Sequence, residues 1–360
     1  MKKILLILCC LVLAGMAACG PNNAPGETSA SSVQPQASGE TASSASGEEQ
    51  PASPEDTAKP GKVSLTTGLP SEKEYKPVGV MIENADGARP QTGLQAADIV
   101  YEVLSEANIT RFFCIYNDKM PKKVGPVRSV RIYYINIQKE WDSILVHYGG
   151  PSTGKVANVY AESTEYIKIR VNGLKGAYGK YFWRTDDKKS PHNVLTDLTK
   201  IQSLYDYTPN ARKPWAFKSE AAYAPEEPFV KTIHVPFISS ENFITYSYDK
   251  EKDVFKRAMG GKPFTDTETD KAVEVKNIIV QYAKQYDLDE GKGRRMVEVT
   301  GSGKAEFFVG GKHLTGTWER KDLDAQTVYK DSTGAEITLR PGNTWIEVHP
   351  NTKEIKVDYE

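Results

Sequence analysis

Cysteine is the first shortage. The chain has four, and two of them, Cys9 and Cys10, fall in a short apolar run that opens with Lys2-Lys3. A third, Cys19, follows Met16-Ala17-Ala18. That order of basic start, apolar stretch, small residues and cysteine is the layout of a bacterial lipoprotein signal. With Cys9 and Cys10 removed and Cys19 lipidated, only Cys114 is left in the folded part. An intramolecular disulfide is therefore excluded, and the exported domain must be held by its core alone. Long apolar runs are missing too. Residues 4–12 fall short of the roughly 20 apolar residues a transmembrane helix requires, so they read as a signal. Net charge is nearly absent, at −1, which gives bulk electrostatics no pull on nucleic acid. No His-x-x-x-His and no cysteine pair is present, so no metal set is expected. No Gly-x-Ser-x-Gly elbow surrounds Ser129, and no cofactor loop is visible. No reaction can be named from these residues.

Four segments follow from what is present. Residues 1–19 are the signal with its lipobox, and lipid on Cys19 places the protein at the membrane, anchored on its extracytoplasmic face. Residues 20–61 are rich in Ser, Ala, Pro, Gly and Glu. They cannot bury enough surface to offset chain entropy, so they are expected to form a disordered tether reaching about 30–40 Å. Residues 62–215 mix strands and helices without strict alternation. Residues 216–360 are mostly β, after a Pro-, Ala- and Glu-rich stretch at 213–228. The fold class expected is α+β, a mixed-sheet N-terminal domain followed by a mostly-β C-terminal one. Strands are expected at 78–82, 98–104, 110–116 and 144–148. A helix over 128–141 follows from Val127, Val130, Tyr134, Ile137 and Trp141 recurring at three and four, with Pro126 at its start. A second helix is expected over 154–163. In the last third, strands at 295–300, 305–309 and 313–318 read as a meander joined by Gly301-Ser302-Gly303 and Gly310-Gly311.

Several strings in this order resemble one family. They are Pro77-Val78-Gly79-Val80-Met81-Ile82-Glu83-Asn84, Ala88-Arg89-Pro90-Gln91-Thr92-Gly93-Leu94, Gly125-Pro126-Val127-Arg128-Ser129-Val130-Arg131, His147-Tyr148-Gly149-Gly150 and Pro191-His192-Asn193. Asn277-Ile278-Ile279-Val280-Gln281 and Pro341-Gly342-Asn343-Thr344-Trp345-Ile346 continue the likeness downstream. Together they resemble the YerB family of bacterial lipoproteins, whose function is unknown. The resemblance implies an α+β first domain, a second domain after it, and attachment to the membrane of Gram-positive-type bacteria. It implies no reaction.

The polar residues in those strings are the site candidates. Arg128 and Arg131, three apart at an expected helix start, oppose the helix dipole. Anion binding explains such cations, through backbone N–H groups and a guanidinium fork. Pairing with Glu83, Asp98 or Glu102 is the other explanation and the favoured one, since buried ion networks also fix folds. His147 ends a strand before two glycines, and His192 lies in a turn. With Arg89 and Arg184 nearby, the two histidines could supply a general acid/base pair with an anion clamp, or simply pack. Arg89, Arg128, Arg131, His147 and His192 are expected to line one polar cleft. Cys114, between aromatic neighbours, reads as an inert core thiol. Glu83 and Glu102 are candidates for paired carboxylates. Asp266, Asp270, Asp287, Asp289 and Glu290 raise the thought of calcium but lack the ligand order of an EF-hand loop. No cofactor is expected. Two functions stay open: a non-catalytic lipoprotein binding an anionic cell-wall component or an envelope protein, and a hydrolase or transferase acting on a wall polymer or phosphate-bearing glycan, with His147 or His192 as acid/base.

Overall fold

The first strand, β1 (Val78–Glu83), is buried along its whole length, because it lies inside a sheet covered on both faces. The computed structural model describes residues 62–360, apart from 107–108, 154, 211, 221–222, 224–225, 238–242 and 289–292. The signal, Cys19, the tether, Asp289 and Glu290 lie outside the described residues. Next come β2 (Ile99–Glu106), β3 (Ile109–Tyr116), α1 (Ile132–Trp141), β4 (Ile144–His147), α2 (Lys155–Glu165) and β5 (Arg170–Asn172). The later strands are β6 (Val230–Val235), β7 (Ile244–Asp249), β8 (Val254–Met259), β9 (Asn277–Ala283), β10 (Gly301–Val309), β11 (Lys312–Arg320), β12 (Val328–Asp331), β13 (Thr344–Pro350) and β14 (Lys356–Tyr359). The fold is α+β, with a mixed sheet early in the chain and mostly antiparallel strands later.

One ten-stranded sheet runs in the order β12-β11-β10-β9-β13-β2-β3-β1-β4-β5. Its seam is the parallel pair β2–β13, in register from Ile99 opposite Thr344 to Val103 opposite Val348. Alternation decides what each face buries. Val80, Ile82, Phe112, Cys114 and Trp345 point to one face, packed against a second sheet built on β6, β7, β8 and β14. Met81, Phe113, Ile115 and Ile346 point to the other, covered by Tyr133, Tyr134, Ile137 and Trp141 of α1. Two covered faces explain why these strands read as unbroken apolar runs. Cys114 is fully buried and unbridged, with its thiol pushed well above the ordinary range by burial.

Two expectations need correction. The helix begins at Ile132 rather than Arg128. Residues 124–130 are extended, because their amides pair across the fold: Val127 N–H donates to Val194 O, Arg128 N–H to Met81 O, and Val130 N–H to Gly149 O. Tertiary pairing overrides the three-and-four periodicity. Gly301-Ser302-Gly303 is also not a joint; it opens β10, paired with β11 from Gly301 opposite Arg320. Gly310-Gly311 does form the expected turn, with φ of 57° and 73°, the left-handed pair that a two-residue hairpin needs.

Behind the seam lies a buried charge cluster. Glu102 of β2 and Glu347 of β13 are register neighbours and fully buried. Arg257 of β8 reaches across from the second sheet to Glu102 at 2.6 Å. The Tyr246 hydroxyl donates to Glu347. Burial pushes Glu347 well above the usual carboxylate range, and the Glu102 charge adds to it. Asn84 donates to Glu102 at 3.2 Å, and Thr110 does so at 2.6 Å. Glu102 is therefore committed to an ion pair inside the core, not to paired-carboxylate chemistry.

Candidate functional site

Strands β1, β4 and β5 are parallel neighbours, so their C-terminal ends lie along one edge. In sheets of this kind polar sites gather at that edge, beyond the carboxyl ends of the strands. Here the ends are Glu83, His147 and Asn172.

Glu83 closes β1 and is nearly covered. Arg128 Nε lies 3.0 Å from Glu83 Oε1, an ion pair without the alignment of a full hydrogen bond. His192 Nδ1 lies 2.9 Å from Glu83 Oε2. A carboxylate only accepts, so Nδ1 carries the proton and Nε2 is left without a protein partner among the described residues. The two terminal nitrogens of Arg128 likewise have no protein partner among the described residues. One buried carboxylate thus fixes two side chains whose remaining polar atoms are available to a ligand. The extended 124–130 segment brings Arg128 here through the hydrogen bond its N–H donates to Met81 O, and the 190–193 turn brings His192. Gly87 makes room: a Cβ there would approach the His192 ring to 2.9 Å. Peptide bonds Arg89-Pro90, Gly125-Pro126 and Ser190-Pro191, one in each of the three surrounding loops, are cis.

The constellation extends sideways. Asn193 accepts from Arg184 at 2.7 Å, and the Arg184 guanidinium lies over the Tyr148 ring, 5.7 Å from its centroid. Arg89 belongs to the loop after β1. It donates to Asn84 Oδ1 at 3.2 Å, Asn84 O at 2.7 Å and Asp86 at 2.8 Å. It also lines a cavity of about 200 Å³ with Met259, Lys262 and Phe264.

The other two candidates do not join this group. Arg131 donates to Glu106 from Nε at 2.8 Å and from Nη2, and to Val130 O from Nη1. Arg111 takes the other Glu106 oxygen at 3.0 Å. Burial raises the Glu106 carboxyl, but the two guanidiniums outweigh it and hold it below the usual range. Arg131 is therefore a structural pair. His147 is fully buried. Its Nδ1 donates to Gly149 O at 2.7 Å, and burial lowers its pKa to about 4. A single open cleft shared by five residues is thus replaced by a smaller group, Arg128 and His192 on Glu83, with Arg89 on the adjoining loop. Arg128 and Arg131 fail to share a helix face because that turn of helix does not exist. Among the acidic residues weighed for calcium, Asp266 accepts the amides of Gly93 at 3.0 Å, Gln95 at 2.7 Å and Glu268 at 2.8 Å. It is a turn anchor, and no cluster able to hold a metal occurs among the described residues.

Fold and site together define an α+β protein, anchored on one mixed sheet, with its polar groups gathered where three parallel strands end. The chain belongs to the YerB family. Residues 66–211 match the family described as "Protein of unknown function (DUF3048) N-terminal domain", and residues 233–346 match its C-terminal domain. It is 35% identical to "Putative lipoprotein YerB" of Bacillus subtilis (strain 168) over 304 residues, covering 82% of this chain and 88% of that one. The crystal structure of the YerB protein from Bacillus subtilis superposes with a TM-score of 0.71 at 31% identity, covering 82% of this chain and 99% of that one.

Proposed function

We propose that the chain is a lipid-anchored protein on the extracytoplasmic face of the cell membrane that binds an anionic cell-envelope ligand without turning it over. The signal-like residues 1–19 and the name of the Bacillus relative support the anchor. Cys19→Ser is expected to leave precursor unprocessed and unlabelled by a fatty-acid probe in cells; labelling at the wild-type level would remove the anchor from this account. The ligand reading is carried by one observation: Arg128 turns Nε to Glu83 while its terminal nitrogens make no hydrogen bond to protein among the described residues, which leaves the fork for an oxyanion. Titration of the full chain with glycerol 3-phosphate, read at the methyls of Val127 and Val130 on either side of Arg128, tests it. Arg128→Ala is expected to weaken binding by about 1.5–3 kcal/mol. Arg128→Lys is expected to rescue only part of that, since lysine lacks the planar fork. Arg131→Ala is expected to lower stability and leave binding alone. Equal loss of stability in both Ala variants, with no change in binding, would make Arg128 a structural residue like Arg131.

A second reading has one observation in its favour. A carboxylate on Nδ1 orients His192 as it would a general acid/base, which fits a hydrolase or transferase acting on a wall polymer. The described neighbours of His192 include no activated nucleophile. His192→Gln separates the two readings, because it would abolish turnover of wall fragments in an enzyme and only weaken ligand binding in a carrier.

A further inference from the structure

On the outermost strand of the same sheet lies a second, separate feature. Residues 167–172 alternate without a break: Ile167, Ile169 and Val171 are apolar, and Lys168, Arg170 and Asn172 are polar. Period two places Arg170 and Asn172 on one face of β5. That face looks into a cavity of about 300 Å³, whose walls include Lys168, Arg170, Asn172, Lys175, Tyr178 and Tyr205. This is at the lower end of the size range for small-molecule sites. No acidic residue lines it. Lys168 is paired with Asp142 at 3.4 Å, whereas Arg170 and Lys175 have no carboxylate partner among the described residues.

The polar atoms left over are donors. Tyr205 donates to Tyr178 at 2.7 Å, so the Tyr178 hydroxyl hydrogen ends the chain unused. Asn172 is buried, and its Oδ1 is taken by the amides of Gly149 at 3.0 Å and Leu174 at 3.1 Å. Its Nδ2 has no protein partner among the described residues. Two cations without a carboxylate partner among the described residues, a carboxamide NH₂ and a phenol surround one concavity with no carboxylate in its lining. An oxyanion supplies what is missing, and two positive charges match the dianion of a phosphate monoester better than a single carboxylate.

We propose that this cavity at the end of β5 is a binding site for a phosphate monoester on a small polyol or sugar, with Arg170 and Lys175 on the phosphate. The site is distinct from the Glu83–Arg128–His192 group and does not depend on it.

The test is a methyl-labelled NMR titration of the full chain with glycerol 3-phosphate, read at Ile167 and Ile169, both of which line the cavity. Saturable shifts are expected there, weakened at least tenfold in Arg170→Gln and at least threefold in Lys175→Gln, and changed less than twofold in Arg128→Ala. Glucuronate, a carboxylate of similar size, is expected to bind at least fivefold more weakly. Charges on an outer strand can instead serve to prevent edge pairing. In that case the methyls would not respond to glycerol 3-phosphate, and Arg170→Gln would associate into dimers or aggregates. That result, or glucuronate binding as tightly as glycerol 3-phosphate, would overturn the proposal. Should Arg170→Gln not fold, Lys175→Gln decides alone, because Lys175 is exposed in a loop.

Discussion

Arg257→Met is expected to cost about 3–5 kcal/mol of unfolding free energy, the range for removing one partner of a buried ion pair. Arg257 and Glu102 are both inaccessible and 2.6 Å apart. Burial alone would lower the Arg257 pKa, but the adjacent Glu102 carboxylate holds it above its ordinary value. Without the guanidinium, Glu102 is left in the core beside Glu347, its register neighbour. The pair also joins β2 to the second sheet, so its loss weakens the packing of that sheet against the seam. Methionine keeps much of the side chain's volume against Phe112, Phe264 and Trp345, over whose rings the guanidinium lies at 5.6, 4.1 and 5.2 Å. The loss is therefore mainly electrostatic. Urea unfolding at pH 7 measures it. Adding Glu102→Gln to Arg257→Met is expected to recover most of the deficit. A cost under about 1 kcal/mol for the single variant would mean that the cluster is hydrated and that Glu102 is not stranded.

The second large effect concerns acid. Burial holds His147 at about 4, below its ordinary value of 6.5. The folded state therefore binds that proton less readily than the unfolded chain does. A depressed histidine contributes stability that is complete above pH 6.5 and is lost as pH falls through about 4. The full contribution is about 3 kcal/mol. His147→Asn keeps an N–H able to reach Gly149 O and removes the titration. At pH 7 the wild type is expected to be the more stable. Between pH 7 and pH 4 its advantage over His147→Asn is expected to shrink by about 3 kcal/mol. His349, buried and likewise lowered to about 4, is present in both proteins and cancels in the difference. Denaturant unfolding across that pH range is the measurement, and a gap independent of pH would place His147 in contact with water.

Much of the sheet was legible in the sequence. Strands β1 to β4 announce themselves because both sheet faces are covered and the runs are continuously apolar. What could not be read was the seam. Nothing in Thr344-Trp345-Ile346-Glu347-Val348 says that it pairs with β2, some 240 residues earlier (on the order of the whole folded chain), and Glu102 and Glu347 meet only because of that register. The helix start was misread for a related reason: Val127 and Val130 fit a helical stripe, yet their amides are claimed by Val194 and Gly149. The site candidates divided along the same line. Glu83 was in view as a partner for Arg128, but its simultaneous hold on His192 depends on a turn that lies more than 100 residues away in the chain. The depth of His147 could not be inferred, since Gly149-Gly150 suggests an open strand end. Arg170 was missed although its signal was present, a strict alternation of apolar and polar residues over 167–172.

Soaking crystals of the protein with selenate, an oxyanion with a strong anomalous signal, tests the central claim most directly. The account predicts an anomalous peak within hydrogen-bonding distance of the Arg128 terminal nitrogens, beside the Glu83 carboxylate, and loss of that peak in Arg128→Ala crystals. An empty Glu83–Arg128–His192 group at selenate concentrations that occupy other cationic positions on the same molecule would contradict it.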